Sequence, residues 1–230
     1  MSEHTTLYRK WRPKTFDDVV GQEHITETLK TQIGSGRLSH AYLFIGTRGT
    51  GKTTCAKILA KAVNCENPVN GNPCNCCSTC LGIDDGSIMD VVEMDAASNN
   101  GVENVRQLRD EAVFSPANAR MRVYIIDEVH MLSASAFNAL LKILEEPPAY
   151  GVFLLLTDNP EKILPTVRSR CTELNLHALN PDILRRALRQ QFPDICAEDM
   201  EAAIMRSGGF LGQAREILEN GEALSPQTTA

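Results

Sequence analysis

The stretch Ala41-Tyr-Leu-Phe-Ile-Gly-Thr-Arg-Gly-Thr-Gly-Lys-Thr-Thr54 decides the fold of this 230-residue chain. Residues Ala41 to Ile45 predict a buried strand, and apolar residues recur at helical spacing from Thr54 to Ala62. Between them, Gly46 to Thr53 fits the pattern G-x-x-x-x-G-K-[ST], a loop whose backbone amides surround phosphate oxygens. A strand, this loop and a helix in that order predict an α/β fold that binds a nucleotide. A chance glycine-rich turn is the alternative.

Each residue type in this loop suits a phosphate. The glycines let N–H groups turn inward, and the following helix adds the positive end of its dipole. We expect Lys52 to reach the β and γ phosphates of ATP and Thr53 to ligate Mg²⁺. The residues predicted to contact the nucleotide in this loop are Gly46, Thr47, Arg48, Gly49, Thr50, Gly51, Lys52, Thr53 and Thr54.

A second strand candidate, Arg122 to Asp127, ends in two carboxylates, Asp127 and Glu128. The carboxyl edge of a parallel sheet is where ligands of open α/β folds bind. We expect Asp127 to hold Mg²⁺ through water and Glu128 to polarise the attacking water. An isolated Asp-Glu pair at a strand end is usually a solvated turn, but beside the phosphate loop it predicts ATP hydrolysis.

A third strand candidate, Val152 to Thr157, ends in polar residues next to the acidic strand. Thr157 could therefore sense the γ-phosphate, and a simple strand-to-turn transition explains it equally well. Apolar β-rich runs alternate with helical patterns along the chain, which predicts a parallel sheet covered on both faces. The five strand candidates are Ala41 to Ile45, Val91 to Asp95, Arg122 to Asp127, Val152 to Thr157 and Thr172 to Leu176.

The pattern becomes entirely helical after about His177, where Asn180 and Pro181 resemble a helix start. We therefore predict a nucleotide-binding domain over residues 1–177, a small helical domain over 178–223 and a polar tail over 224–230. About fifty residues are too few for an independent core, so the helical domain should pack on the first domain or on further sequence.

Composition excludes several classes of protein. The chain has 23 Lys and Arg against 29 Asp and Glu, a net charge of −6, with 43% hydrophobic and 23% charged residues. These are globular values, which argue against a disordered or collagen-like chain. The N-terminus has no apolar stretch behind a basic cap, and the longest apolar run, Val152 to Leu156, is far shorter than a bilayer requires. We expect a cytoplasmic protein without membrane contact.

The eight cysteines include a spaced group, C-x8-C-x2-C-x2-C, formed by Cys65, Cys74, Cys77 and Cys80. The polar loop between them, rich in Pro, Asn and Gly, has little that could pack. Four thiolates at this spacing predict a structural Zn²⁺ site in an insert over residues 65–80, with free thiols or redox pairs as the alternatives. Cys76 could exchange as a ligand but is expected to be free, because the C-x2-C spacing favours Cys77.

The remaining cysteines, Cys55, Cys171 and Cys196, lie in apolar stretches. They are expected to be small buried hydrophobic residues.

The sequence resembles the N-terminal part of the gamma/tau subunits of bacterial DNA polymerase III, the ATPases of the sliding-clamp loader in the AAA+ superfamily. The resemblance covers nearly the whole chain, and a four-cysteine insert after the phosphate-loop helix is its most specific feature. The motifs that carry it are Tyr8 to Pro13, Phe16 to His24, His40 to Phe44, the phosphate loop, the cysteine insert, Met94 to Ser98, Ile126 to Leu132, Phe137 to Lys142, Leu144 to Pro148 and Ser169 to Cys171.

The resemblance implies a five-stranded parallel sheet followed by a helical lid domain. It implies an adenine pocket lined by Tyr8, Arg12 and Pro13 together with Val19 and Val20. It also makes Thr157 the γ-phosphate sensor.

The resemblance further implies that Arg170 projects into the ATP site of a neighbouring subunit as an arginine finger. The residues alone would make Arg168 and Arg170 merely exposed basic groups. The implied partners are other clamp-loader subunits, further copies of the chain, the sliding clamp and primed DNA.

Two features depart from the family's pattern, namely the lid arginine and the helix that starts near Ser98 to Gly101, which opens with neutral residues where the family often has basic residues toward DNA. Gly212 stands where the family usually has a nucleotide-contacting lid arginine, and Arg215, one turn later, could replace it. The chain ends at Ala230, whereas gamma/tau proteins continue into a collar domain. We therefore expect the isolated chain to be a monomer with feeble ATPase activity and weak, salt-sensitive DNA binding.

The leading interpretation is an ATP-hydrolysing clamp-loader motor that uses ATP, Mg²⁺ and Zn²⁺. One alternative is a zinc-dependent structural or interaction subunit that binds ATP without significant hydrolysis. Another is a recombination helicase motor, which shares the phosphate loop but leaves the cysteine insert unexplained.

Overall fold

The computed structural model describes residues 11–220, and its centre is one parallel sheet. The predicted five-stranded α/β fold is confirmed, with strand order β2-β3-β4-β1-β5 and every neighbouring pair parallel. Eight of the ten strand boundaries match the sequence expectation, while β4 begins one residue earlier and β5 ends one residue earlier. The strands are β1 (Ala41–Ile45), β2 (Val91–Asp95), β3 (Arg122–Asp127), β4 (Gly151–Thr157) and β5 (Thr172–Asn175).

Helices cover both faces of the sheet and then form a separate group at the C-terminal side. Short 3₁₀ turns lie at Phe16–Asp18, Val129–Met131 and Pro160–Lys162. The α-helices are α1 (Glu23–Ser35), α2 (Lys52–Asn64), α3 (Ser78–Asp85), α4 (Val102–Ala112), α5 (Ala134–Glu145), α6 (Pro165–Arg168), α7 (Pro181–Gln191), α8 (Ala197–Arg206) and α9 (Leu211–Glu219).

The central strands β1 and β4 are buried along their whole length, as expected for a parallel sheet covered on both sides. Alternate residues of β1 divide between two cores: Leu43 belongs to the core under α4 and α5, and Phe44 to the core under α1 and α2. This alternation follows from the two-residue period of a strand. The sheet is therefore a rigid platform whose carboxyl edge can position polar side chains.

Local signals explain the helix limits. The Ser133 hydroxyl accepts a hydrogen bond from the Ala136 amide at the start of α5, and α5 ends at Glu145, two residues before Pro147. The Asn180 side chain accepts hydrogen bonds from the amides of Asp182 and Ile183 and caps α7, with Pro181 in the first turn.

Helices α7 to α9 have a small core of their own that includes Leu188, Met200 and Ile204. The group also packs on the first domain, since the Trp11 and Phe192 rings lie 6.0 Å apart. The predicted boundary between residues 177 and 178 stays a prediction, and residues 221–223 and the tail over 224–230 lie outside the described residues. No helix within residues 11–220 is long and apolar enough to span a membrane.

Candidate functional site

The carboxyl ends of three adjacent strands meet at one edge of the sheet. Ile45 of β1 pairs with Thr157 of β4, and the Gly46 amide donates to the Thr157 carbonyl at 3.1 Å. On the next strand, β3 ends at Asp127, which pairs with Asp95 of β2. The register therefore brings the phosphate loop, the acidic pair and Thr157 to the same edge, as the sequence led us to expect.

The phosphate loop joins β1 to α2 through backbone angles that favour glycine. Gly51 caps α2 with a φ of +101°, a left-handed conformation in which an L side chain is strained. Lys52 Nζ folds back over the loop and donates to the carbonyls of Gly46 at 2.7 Å and Thr47 at 3.2 Å. Burial lowers the pKa of Lys52, and the carboxylates of Glu128 and Asp127 partly oppose this effect.

The two residues predicted to serve Mg²⁺ lie side by side. Thr53 Oγ1 donates to Asp127 Oδ2 at 3.2 Å, so both oxygens face one point between the loop and β3. A hydroxyl and a carboxylate oxygen are ligands that suit Mg²⁺, which also keeps several waters. Glu128 follows with a φ of +50°. This left-handed turn directs the chain away from the strand directly after Asp127.

The sequence did not assign a role to His130, which joins three residues at this edge. His130 Nδ1 lies 3.1 Å from Thr157 Oγ1 and 3.4 Å from Glu128 Oε2, and Nε2 lies 3.6 Å from Asp158 Oδ1. The Thr157 side chain is fully buried and also accepts a hydrogen bond from the Asn159 amide at 3.0 Å. The signals for His130 in the sequence were its position three residues after Asp127 and its place in the motif Ile126 to Leu132.

A cavity of about 530 Å³ lies beside the phosphate loop, between the first domain and the helical group. Arg12 Nε donates to Thr54 Oγ1 at 3.3 Å, so the N-terminal segment reaches the start of α2 directly. Of the residues that the resemblance assigns to the adenine pocket, Tyr8 lies outside the described residues. The predicted residues that line the cavity are Arg12, Pro13, Val19, Val20, Arg48, Gly49, Thr50, Gly51, Thr54 and Arg215.

Arg215 lies in the wall of this cavity, with Gly212 also lining it. Its guanidinium donates to the Trp11 carbonyl at 3.0 Å and to Gln191 Oε1 at 2.6 Å, and it lies 5.5 Å from the centre of the Trp11 ring. Burial lowers the pKa of Arg215, but the group stays charged at neutral pH. Trp11 Nε1 in turn donates to Glu219 at 2.5 Å.

Arg170 lies just before β5, outside the residues that line this cavity. Its guanidinium forms an ion pair with Glu145 at 2.9 Å and donates to the Thr166 carbonyl at 2.8 Å, with about a third of the side chain exposed (34%). Arg168 pairs with Glu173 at 2.8 Å instead. The two arginines are therefore not merely free surface charges, and Arg170 presents a held guanidinium at the surface.

Four cysteine sulfurs come together in the insert after α2. The Sγ atoms of Cys65, Cys74, Cys77 and Cys80 all lie within 4.8 Å of one another. A tetrahedral zinc with Zn–S bonds of about 2.3 Å places its sulfurs about 3.8 Å apart, and Cys74 and Cys80 are 4.0 Å apart. The cluster is thus compatible with zinc.

Backbone amides favour the metal-binding thiolate form of Cys74, whereas burial raises the pKa of the Cys65 and Cys80 thiols. The Cys77 amide donates to Cys74 Sγ at 3.3 Å, and the Cys80 amide donates to Cys77 Sγ at 3.4 Å. Amides of Cys76 and Cys77 lower the pKa of Cys74 to about 6. Cys76 is exposed and is not one of the four clustered cysteines.

The remaining cysteines differ from one another. Cys55 is fully buried, and burial raises its pKa to about 12. Cys171 packs partly against the core beneath α5. The expectation that Cys196 is buried was wrong, because this residue is exposed and caps α8, where its sulfur accepts from the Asp199 amide at 3.4 Å.

The family described as DNA polymerase III, delta subunit, matches residues 21–180, which include every strand of the sheet and the whole phosphate loop. The chain belongs to this family. It is 59% identical over 168 residues to DNA polymerase III subunit tau of Bacillus subtilis, a match that covers 73% of the chain and 30% of that relative. It is 46% identical over 228 residues to subunit tau of Escherichia coli, covering 99% of the chain and 35% of that relative.

Solved structures show the same fold at lower identity. The chain matches the RuvB Holliday junction branch migration motor of Thermotoga maritima with a TM-score of 0.63 and 21% identity, over 92% of the chain and 67% of RuvB. A DNA polymerase III gamma subunit-related protein of the same organism matches with a TM-score of 0.53 and 21% identity, over 87% of the chain and 73% of that protein. At 21% identity, both matches show that the chain shares its fold with these proteins.

Proposed function

We propose that the chain is the ATP-binding and ATP-hydrolysing part of a clamp-loader motor that places a sliding clamp on primed DNA during replication. The family supports this proposal, although the chain spans about a third of the length of the relatives described above (30% and 35%). The observation that carries it is the meeting of the phosphate loop, Asp127 and Thr157 at one sheet edge. Domains over residues 1–177 and 178–223 would form the two sides of the ATP site.

ATP binding would use the loop and the cavity together. Lys52 Nζ would leave the carbonyls of Gly46 and Thr47 and pair with the β and γ phosphates, while the loop amides hold the remaining oxygens. Arg12, Pro13 and Val20 would enclose the base, since they line the cavity on the side of the N-terminal segment. Arg215, already held at the cavity wall, would take the place of the missing lid arginine.

Hydrolysis would depend on the acidic edge. Mg²⁺, held by Thr53 and Asp127, would neutralise charge on the β and γ phosphate oxygens. Glu128 would polarise the attacking water, and Thr157 would sense the γ-phosphate. His130 would connect the last two residues, because one of its nitrogens lies within 3.4 Å of both.

Arg170 would act on a neighbouring subunit. A guanidinium supplied in trans stabilises the transition-state charge and contributes roughly 10³ or more to the hydrolysis rate. The ion pair with Glu145 holds the Arg170 side chain in one direction at the surface. Hydrolysis would therefore depend on assembly with other clamp-loader subunits or further copies of the chain.

The zinc site would be structural, since four thiolates leave no open coordination position. Primed DNA would be engaged by the assembly, because the chain itself carries a net charge of −6. A cytoplasmic location accompanies the proposal, since both the chromosomal substrate and the reduced thiolates belong in that compartment.

The test is an ATPase assay on the assembled loader with the sliding clamp and primed DNA. We expect the clamp and primed DNA together to raise the rate well above that of the loader alone, and Glu128→Gln to abolish the stimulated rate while leaving ATP bound. Unstimulated turnover in the complete assembly would contradict the motor proposal. Binding without any turnover in the assembly would favour the zinc-dependent structural subunit instead.

A further inference from the structure

The cysteine insert packs against the segment that forms one wall of the nucleotide cavity. Residues 11–20 run along this wall, and six of them line the cavity: Trp11, Arg12, Pro13, Asp18, Val19 and Val20. Few regular backbone hydrogen bonds hold the segment, since only the 3₁₀ turn Phe16–Asp18 has regular structure within it. Side chains from elsewhere must therefore fix its position.

Asn72 of the insert supplies two of the contacts that hold this segment. Its Oδ1 accepts from the Phe16 amide at 2.8 Å, and its Nδ2 donates to Asp17 Oδ2 at 2.8 Å. Asn72 is itself buried (7% exposed) and its bond to the Phe16 amide lies away from solvent, whereas the Asp17 side chain is 62% exposed. Phe16 is buried in the core beneath α1 and α2, directly beside this contact.

Asn75 makes a second contact, between the loop of clustered cysteines and the same segment. Its Nδ2 donates to the Lys14 carbonyl at 3.2 Å, and its Oδ1 accepts from the buried ammonium of Lys61 on α2 at 2.7 Å. The side chain of Asn75 therefore joins the segment to the helix that follows the phosphate loop. Asn75 lies between Cys74 and Cys77, two of the four clustered thiols.

The insert also packs closely against α1. A Cβ on Gly71 would lie 2.6 Å from Lys30 Cα, so only glycine permits this approach, and the φ of Gly71 is +76°. Lys30 pairs with Asp17 of the segment at 2.8 Å. The insert, α1 and the segment thus form one connected group of contacts.

We propose that the cysteine insert positions the base-binding wall of the ATP site, with Asn72 and Asn75 as the positioning residues. The inference rests on the proposed ATP site. Zinc bound by the four thiolates orders the insert. The insert then fixes residues 14–17 through two asparagine side chains, and these residues hold the wall formed by residues 11–20 in position. The other end of that wall contacts the helical group, because Trp11 Nε1 donates to Glu219 and the Trp11 carbonyl accepts from Arg215.

The chain carries a built-in reporter for this proposal, since Trp11 is its single tryptophan and lines the cavity. Mg-ATP is titrated into the 230-residue chain while Trp11 fluorescence and heat are recorded. For Asn72→Ala we expect roughly tenfold weaker ATP binding, about the effect of losing one or two buried hydrogen bonds, with zinc content unchanged. In the absence of ATP, the fluorescence emission of Trp11 in Asn72→Ala should also shift to longer wavelength.

A matched control lies in the same insert. Ser78 is exposed and donates to Glu66 at 2.7 Å, with no hydrogen bond to residues 11–20, so Ser78→Ala should bind ATP like the unchanged chain. Asp17→Ala removes the hydrogen bond between Asn72 Nδ2 and Asp17 by a change in the wall, so the sequence of the insert is unaltered. Because Asp17 also pairs with Lys30, Lys30→Ala is the control for loss of that ion pair. Asp17→Ala should therefore weaken ATP binding even where Asn72→Ala folds poorly.

The outcomes separate the two proposals. Equal ATP affinity and equal Trp11 emission in the unchanged chain, Asn72→Ala and Asp17→Ala would overturn the positioning role while leaving the proposed function intact. No heat with the unchanged chain would overturn the ATP site itself. A zinc-depleted chain that remains folded and binds ATP as tightly as the zinc-loaded chain would also contradict the inference.

Discussion

Different kinds of contact hold the two main regions of the molecule in place. These regions are the sheet edge that carries the phosphate loop, and the cysteine insert. Strand register alone brings Gly46 and Thr157 into hydrogen-bonding distance, with fully buried β1 and β4 beneath them. The insert has one isolated bridge, Val69 with Asn72, and its other contacts come largely from cysteine sulfurs, asparagine amides and the Glu66 carboxylate. Backbone pairing is therefore enough to position the polar edge of the sheet, whereas the order of the insert depends on side-chain contacts.

The largest expected effect concerns a residue outside both regions. In the assembled loader, Arg170→Ala should slow hydrolysis by about a thousandfold, because the neighbouring site loses the charge that stabilises its transition state. In the isolated chain the same change should leave ATP binding unaltered. Steady-state ATPase rates of assemblies that carry Arg170→Ala or the control Arg168→Ala check this; equal rates would show that Arg170 is only a surface ion pair.

The insert should lose its order when one ligand is removed. Cys80→Ser should reduce the zinc content from about one per chain to near zero and lower the free energy of unfolding by about 3 kcal/mol, the effect of losing a ligand bound well above its dissociation constant. Cys76→Ser, an exposed neighbour, should retain the metal. Metal analysis and thermal unfolding of reduced protein provide the measurement. Full zinc content in Cys80→Ser, or none in the unchanged chain, would contradict the assignment.

Asp90, which directly precedes β2 at the amino edge of the sheet, should contribute to stability but not to ATP binding. Asp90 is buried and accepts from three backbone amides, of Ala117, Asn118 and Ala119, and from Arg122. Burial raises its pKa, but these donors outweigh burial and the net pKa is lowered. Asp90→Ala should cost about 2 kcal/mol of stability and leave ATP affinity unchanged.

The pH dependence of this effect has a definite sign. A lowered carboxyl pKa stabilises the folded state above the ordinary value of 3.8 and loses that contribution as pH falls through the folded value. The difference between the unchanged chain and Asp90→Ala should therefore shrink below about pH 4. Denaturant unfolding across pH checks this, with the exposed Asp110→Ala as control. A difference that grows on acidification would be contrary to the sign.

The smallest expected effect is at His130. His130→Ala should lower the maximal ATPase rate of the assembly by about fivefold, because Glu128 and Thr157 lose their shared partner. ATP affinity should stay within about twofold, since His130 contacts Glu128 and Thr157 and is assigned no direct contact with the nucleotide. The neighbouring Met131→Ala serves as control. A change in affinity with an unchanged maximal rate would place His130 with binding and not with hydrolysis.

Sequence reasoning predicted the sheet and its acidic edge because these depend on local patterns. A buried apolar run and a glycine-rich loop are readable within ten residues, as Ala41 to Ile45 and Gly46 to Thr53 demonstrate. The limits of β4 and β5 moved by one residue because a register with the neighbouring strand, and not propensity, ends a strand.

Some contacts of the site and of the insert could not be predicted from the sequence, because they join residues that are distant in the chain. The contact of Asn72 with Phe16 joins residues 56 positions apart, and no periodicity announces it. His130 meets Thr157 across 27 positions. Cys196 was misread because its apolar neighbour Ile195 suggested burial, whereas a thiol at a helix start can accept from the backbone.

The central claim is that the phosphate loop and the acidic edge together bind Mg-ATP. Isothermal titration of Mg-ATP into the reduced, zinc-loaded chain tests it most directly, beside Lys52→Ala and the control Lys57→Ala, whose lysine on the same helix pairs with Glu93. We predict heat that fits about one site per chain, unchanged for Lys57→Ala and at least roughly a hundredfold weaker for Lys52→Ala. Absence of heat in the unchanged chain, or equal affinity in Lys52→Ala, would contradict the account.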